Sequence, residues 1–468
     1  MPYHCLLFDD LFTQIQTEVK KIRSLFPRAT IVLGGAGVNT VKDLLQLKAF
    51  FPEVNALVKG DGEKVFCRLL ECLKDGQIDT IKMEALAVKG VYVSVEGREY
   101  LDNRANVLSG EELNELPALT AFPDLVKDIK RRGCLELHTS RGCKYRCVFC
   151  SHKYHDRPIY WSADRLLQEL REIKKKIQRK ELPKEARNIY FSDDDFFQDK
   201  ERAIRFLTLS SADPAIRTFF KYSFQGAIGS FLSRGKVDRQ LLGLLKQVKI
   251  GWLNLGTDGF SDKMLRLLGK SGYNWRQAKE VMVAVDISGI PHCHYLILTH
   301  PQMDEQMFFE QLNNLIIVLS HNPNMRIHVN ETITAYEGTI LMEKAKQFIP
   351  DRLQTLDGVR GERKYLPIHL PLSQDGYLNL AIMKTLRQPF KTVSQLIEDR
   401  KAQIKKGADF QKVAKLTAKM IRWRRKQPVG LTVLDAINWE HRFVVFTALR
   451  FLLEETARQY ADKAQLLD

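Results

Sequence analysis

The sequence predicts an α/β protein: a partial (β/α)6 TIM-type barrel, with a truncated Rossmann-like α/β domain before it and a helical C-terminal region after it. Three observations predict this. Between Cys134 and about residue 345, apolar runs of strand length alternate six times with runs at helical spacing. No Gly-x-Gly-x-x-Gly run occurs among these βα units, which argues for a barrel over a dinucleotide fold. From Phe348 onward no strand pattern is convincing. With 468 residues, two or three domains are expected, and the reading divides the chain at 1–75, 76–131, 132–345 and 346–468.

Leu11 to Leu25 carries apolar residues at helical spacing. Ala29 to Gly35 reads as a buried strand running into a Gly-Gly turn, and Val41 to Phe51 as the next helix. Ala56 to Glu63 is a second strand and turn, followed by a helix from Lys64 to Leu73. This βα order implies a parallel sheet. Gly90–Val95 and Arg98–Leu101, around Glu96-Gly97, look like a β-hairpin within a connector, and Leu113–Pro117 reads as extended linker. The six later strands are expected at Leu135–Thr139, Asn188–Ser192, Lys221–Ala227, Trp252–Gly256, His294–Leu298 and Arg326–Thr332. Helices between them include Ala163–Lys175, Glu201–Leu209, Asp238–Lys246, Trp275–Ser288 and Met307–Ser320. Thr392 to Lys426 and Asp435 to Ala461 look helical.

The chemistry concentrates in Cys143, Cys147 and Cys150, spaced C-x3-C-x2-C just after the first of the six strands. Three thiolates on one short loop can hold three irons of a [4Fe–4S] cube and leave the fourth iron open to a ligand. A structural zinc site would need a fourth protein ligand, with His152 and His155 as the nearest candidates, and no second C-x2-C pair is present. Such a zinc site would suit a non-enzymatic zinc- or RNA-binding protein, but that reading leaves the six βα units unexplained. The other cysteines, Cys5, Cys67, Cys72, Cys134 and Cys293, are scattered and read as free thiols in a reducing compartment.

The triplet resembles that of the radical S-adenosylmethionine (radical SAM) superfamily. Phe149, directly before the third cysteine, matches the aromatic residue that the superfamily usually places beside the adenine. The resemblance implies that SAM chelates the open iron, and that an electron from the cluster breaks its sulfonium to give a 5′-deoxyadenosyl radical. Up to about residue 345 the chain resembles the branch with an N-terminal cobalamin-binding-type domain. Val32-Leu33-Gly34-Gly35 and Val58-Lys59-Gly60-Asp61-Gly62-Glu63 look like the second half of that domain. Leu113–Pro117 is similar to its linker, and Ala335-Tyr336-Glu337-Gly338-Thr339 to the turn after the sixth barrel strand. The departure is large: about two preceding βα units and the Asp-x-His-x-x-Gly run that ligates cobalt are missing. Cobalamin binding stays open on that account.

The resemblance also sends residues to SAM. Ser192 and Asp193, with Asp194 beside them, end the second barrel strand, where the family meets the SAM amino group. One of the three consecutive acids, Asp193 to Asp195, is also expected to cap the next helix. Asp258, in Leu255-Gly256-Thr257-Asp258-Gly259, stands where related chains place a Glu near the ribose or methionyl part. Gln225 and Ser223 are lesser polar candidates. Cys293 is a candidate hydrogen-atom donor to a substrate radical if it faces inward, as a radical epimerase would need; a buried structural thiol is the alternative. His292 and His294 share the opposite side of the strand, with no third metal ligand in view.

Composition bounds the rest. Hydrophobic content of 44% and charged content of 27% are those of a globular protein. No signal segment and no apolar run of membrane length is visible, so a cytoplasmic location is expected. The net charge is +16, and residues 391–426 hold twelve Lys or Arg against three Asp or Glu. That run reads either as a solvated helix face or as a docking face for RNA, a membrane surface or an acidic peptide leader. The resemblance supports two enzyme readings. One is modification of an unactivated carbon of a peptide or natural product, with C-methylation the commonest outcome. The other is cobalamin-independent peptide epimerisation or another peptide-maturation reaction. Both need a low-potential electron donor such as flavodoxin or ferredoxin.

Overall fold

A computed structural model describes residues 9–348 and 368–369, apart from 36–37, 39–42, 75–76, 96–97, 118–124, 151–156 and scattered positions from 298 to 338. The expected helices at 392–426 and 435–461, the basic run, and most of Met307–Ser320 lie outside the described residues. The chain forms two compact units. One comprises residues 1–116, 140–161 and 334–370; the other comprises 117–139, 162–333 and 371–468.

The first unit is built on a four-stranded sheet. Strand β1 (Val32–Leu33) pairs parallel with β2 (Ala56–Val58), with α1 (Asp9–Leu25) and α2 (Leu44–Phe50) preceding them and α3 (Gly62–Glu71) next in the chain. The hairpin expected in the connector belongs to this sheet: β3 (Val91–Val95) pairs antiparallel with β2, and β4 (Arg98–Asp102) with β3. Pairing Ala56 with Val93 satisfies the second edge of β2, which a free connector would leave without ladder partners. The segment read as extended linker is also corrected. Gly110–Glu115 is a helix, α4, because Ser109 and Glu112 close a reciprocal capping box at its start.

One turn in this unit is unusually constrained. Gly60 sits at φ +91°, and a Cβ there would lie 2.0 Å from the Asn106 carbonyl oxygen. Only glycine permits that approach. It lets Asp61 N–H donate to Asn106 O at 2.7 Å while Asn106 N–H donates to Lys59 O at 3.1 Å.

The second unit carries a six-stranded, all-parallel sheet in sequential order: β5 (Leu135–Leu137), β6 (Asn188–Phe191), β7 (Lys221–Ala227), β8 (Ile250–Asp258), β9 (His292–Ile297) and β10 (Met325–Asn330). Each strand falls on its expected apolar run. Helices α5 (Ala163–Gln178), α6 (Lys200–Ala212), α7 (Arg239–Leu245) and α8 (Trp275–Ile287) lie between them in sequence. Alternation sorts the side chains. Ile189, Phe191, Tyr222, Phe224, Leu253 and Leu255 are fully buried. Phe191 and Phe224 stack at 5.0 Å, and Phe206 of α6 meets Phe191 edge-on at 5.6 Å. Each such buried side chain contributes about 1.5–3 kcal/mol. The intervening residues, Tyr190, Ser223, Gln225, Asn254, Tyr295, Arg326 and His328, are half-buried and mostly polar. One face is therefore core and the other is chemistry.

Candidate functional site

The cysteine loop rises from a closed stem. Ser140 and Arg141 pair antiparallel with Tyr160 and Ile159, so both ends of the loop are fixed by backbone hydrogen bonds. Asn114 Nδ2–H donates to Tyr160 O at 3.0 Å, and Trp161 Nε1–H to Leu113 O at 2.9 Å, which ties the stem to α4. Inside the loop, Gly142 turns at φ +82° and Cys150 N–H donates to Cys147 O at 3.2 Å. Val148 O accepts from Leu341 N–H at 2.9 Å. Cys147 is buried; Cys143, Cys150 and Phe149 are half-buried. None of the described cysteines is in a disulfide. His152 and His155 lie outside the described residues.

The carboxyl end of β6 treats its acids differently. Asp193 is fully buried, accepting from Thr139 N–H and from Thr139 Oγ1–H, each at 2.6 Å. Arg202 donates to Thr139 Oγ1 at 2.5 Å and stands 3.9 Å from Asp193. Asp193 is thus engaged in holding the last residue before the cysteine loop. Asp195 accepts from Ser230 Oγ–H at 2.6 Å and from Phe197 N–H at 2.9 Å. None of the three consecutive acids caps the helix. Asp199 does so, accepting from Arg202 N–H, because it sits directly before the first helical residue. Asp194 is half-buried. Ser192 has a buried Oγ with no hydrogen-bond partner among the described residues.

At the end of β8 the ladder slips between Gly256 and Asp258, and Asp258 takes φ +61°. Such a bulge bends the strand and re-aims the residues beyond it. Asp258 is paired with Lys270 at 2.5 Å, and Lys270 also donates to Gly256 O at 3.2 Å. The lysine was not legible as its partner, being separated from it by a whole helix. Gln225 Nε2–H donates to Tyr190 Oη, joining the polar residues of β6 and β7.

Cys293 lies on the polar face. Register places Gln225, Asn254, Cys293 and Arg326 side by side across four strands. The thiol is buried, and burial pushes its pKa up to about 12. It therefore keeps its proton at neutral pH.

His292 and His294 face the other way, as alternation requires. Nδ1 of His292 is 2.9 Å from Nε2 of His294, and the pair ends on Asp286 Oδ1 at 3.3 Å and Thr257 Oγ1 at 2.8 Å. Their partners are one another and the fold. Burial lowers the pKa of both, and His294 is held well below the usual range with His292 adding to the effect. The unfolded chain would take up protons near pH 6.5 that the folded chain refuses, so stability falls as pH drops through that value. The unfolding free energy from urea melts should be lower at pH 5.5 than at pH 7.5, by up to about 1.4 kcal/mol per histidine per pH unit, and the midpoint lower with it. The difference should shrink in a His292→Gln/His294→Gln double variant, and an equal midpoint at both pH values would refute the assignment.

Sequence reading missed the partner of the Gly60–Glu63 turn. Arg141 of the loop stem donates to Asp61 Oδ1 at 2.5 Å and to Glu63 Oε2 at 3.1 Å, with a second contact to Glu63 Oε1. The only signal was a basic residue beside the cysteines and two acids in a Gly-x-Gly-Glu turn.

Comparison with known proteins agrees with this geometry. Residues 137–313 match the model of the Radical SAM superfamily. Over 192 residues the chain is 26% identical to an uncharacterized methyltransferase of Pyrococcus horikoshii, a stretch covering 40% of this chain and 38% of that protein. A structure of the radical SAM methyltransferase TsrM from Kitasatospora setae, with cobalamin and a [4Fe–4S] cluster bound, superposes with a TM-score of 0.57 at 16% identity. That match covers 72% of this chain and 63% of TsrM. The cobalamin-dependent radical enzyme OxsB, with aqua-cobalamin and SAM bound, gives 0.59 at 15% identity over 97% of this chain and 70% of OxsB. The curated relative is thus matched over little more than a third of its length. The cysteine triplet on its closed stem and strands β6 to β9 lie within the stretch 137–313, and it is this stretch that is similar to the radical SAM superfamily.

Proposed function

We propose that the chain reductively cleaves SAM at a [4Fe–4S] cluster held by Cys143, Cys147 and Cys150, and modifies an unactivated carbon of a peptide or natural-product substrate by C-methylation. The observation that carries the reading is the stem-closed loop with three cysteines outside any disulfide, next in sequence after the first strand of a six-stranded parallel sheet. The likeness to TsrM and to the Pyrococcus horikoshii protein, each named a methyltransferase, supports methylation.

The donor set suits the cluster. Among the described residues, no three Cys, His, Asp or Glu side chains converge on one ion. A cube does not need convergence, because its three thiolates bind three separate irons. When bound there, the cluster would supply the electron that splits SAM into methionine and the 5′-deoxyadenosyl radical. The chain's own residues do the rest. Ser192 Oγ and the half-buried Asp194 offer polar contacts to the amino group of SAM at the end of β6, while Asp193 fixes Thr139. Asp258, with its charge balanced by Lys270, serves the ribose or methionyl part, and Phe149 the adenine. The polar face of the sheet, Tyr190, Gln225, Asn254, Tyr295, Arg326 and His328, offers the hydrogen-bonding groups that would orient a substrate. Positioning of the reacting C–H is the main task for such a site.

Cobalamin fits this chain less readily. The Gly60–Glu63 turn, half of the resemblance to a corrinoid domain, is engaged by Arg141. No step here is routed through a corrinoid. One observation favours a second reading, peptide epimerisation: Cys293 is a protonated thiol on the polar face. Hydrogen-atom transfer from its S–H would make a new C–H bond and leave a thiyl radical. One electron from flavodoxin or ferredoxin and one proton would restore the thiol.

Anaerobic reconstitution with iron and sulfide, then reduction with SAM present, tests both. We expect 5′-deoxyadenosine to form. Stoichiometric zinc with no SAM cleavage would sink both readings. With substrate candidates, transfer of labelled methyl from SAM supports the first. Deuterium uptake from D2O that is lost in Cys293→Ala supports the second. A visible-spectrum titration with hydroxocobalamin decides whether the cofactor of the neighbours is shared.

A further inference from the structure

We propose that the Gly60–Glu63 turn is the seat of the cysteine loop, and that Arg141 is the positioning residue that sets its three thiols. The inference rests on the cluster reading for its consequence, though not for its geometry. Arg141 forks onto two carboxylates of one turn, and its side chain is 16% exposed against 1% for Asp61. Charge-assisted, two-point contacts of this kind fix direction as well as distance. The turn itself is rigid. Asp61 is held on its other oxygen by Leu108 N–H at 2.7 Å, and its carbonyl accepts from Asn106 Nδ2–H at 2.7 Å. Gly60 cannot carry a side chain beside Asn106. A pre-formed socket therefore meets a guanidinium two residues before Cys143. The motif that resembled half of a corrinoid-binding domain has a use within this chain that needs no corrinoid.

The charges also have a direction. Arg141 brings one positive charge and the turn brings two negative ones. A reduced cluster with three thiolates is anionic, so removing the guanidinium should make reduction harder, and neutralising the carboxylates should make it easier. A purely structural strut would move both variants the same way.

The test uses the full chain. In the apoprotein, hydrogen exchange across residues 141–150 is compared among wild type, Arg141→Met, Arg141→Lys and Asp61→Asn/Glu63→Gln. Protection should fall about tenfold in Arg141→Met, the scale of a lost charge-assisted hydrogen bond, and less in Arg141→Lys. Exchange in the six-stranded sheet should stay unchanged and serves as the folding control. In the reconstituted protein, the midpoint potential should drop in Arg141→Met and rise in Asp61→Asn/Glu63→Gln, and iron release to a chelator should quicken in both. Unchanged exchange in all variants, or potentials that shift with the same sign, would overturn the proposal. If wild type assembles no cluster while exchange responds as stated, the seat stands and the cluster reading alone fails.

Discussion

Cys147→Ala should abolish 5′-deoxyadenosine formation in the reduced, reconstituted protein and bring its cluster iron to background. Cys147 is the middle cysteine of the proposed ligand triplet and the most buried of the three, 8% exposed, with its carbonyl closing the turn to Cys150. Its loss leaves two thiolates, and the site drops from one open iron to two, which a cube tolerates poorly. The backbone turn does not depend on the side chain, so the stem and the fold should persist. That separates lost chemistry from lost structure. Cys134→Ala is the matched control: its thiol, just before β5, is kept protonated by burial and lies outside the triplet. Product should survive in the control. Wild-type levels of 5′-deoxyadenosine from Cys147→Ala, quantified by chromatography, would remove the triplet from the mechanism.

Asp193→Ala should cost about 3–5 kcal/mol of stability, the range for breaking a buried pair by removing one partner. Three groups lose their acceptor or counter-charge at once: Thr139 N–H, Thr139 Oγ1–H and the Arg202 guanidinium, all buried. Arg202 keeps its contact over the Phe196 ring at 4.7 Å, which compensates little. Asp193→Asn should fall between, since it accepts one hydrogen bond and carries no charge. Urea unfolding of the two variants measures this directly. A loss under about 1 kcal/mol would place Asp193 among surface substitutions and return it to the residues expected to meet SAM.

The parallel sheet was legible because its strands are buried on one face and half-buried on the other. Runs such as Lys221–Ala227 show both the apolar content and the alternation. The triplet was legible because its three donors are adjacent in sequence. Long-range polar pairing was not. Arg141 meets Asp61 across 80 positions, and Thr139 meets Asp193 across 54. No local pattern encodes such partners, so the hold of Asp193 on Thr139 was not legible. The same blindness hid where the expected hairpin β3–β4 docks, since its pairing with β2 is decided by an open sheet edge and not by its own residues.

The sequential order of β5 to β10 has a consequence for how the protein is made. The cysteines emerge from the ribosome before five of the six strands exist. At ordinary elongation speeds that leaves them without those strands for roughly ten to forty seconds. During that interval the nascent thiols would be open to whatever soft metal the cell offers. Birth, more than turnover, is then the moment at which this site is most exposed to error.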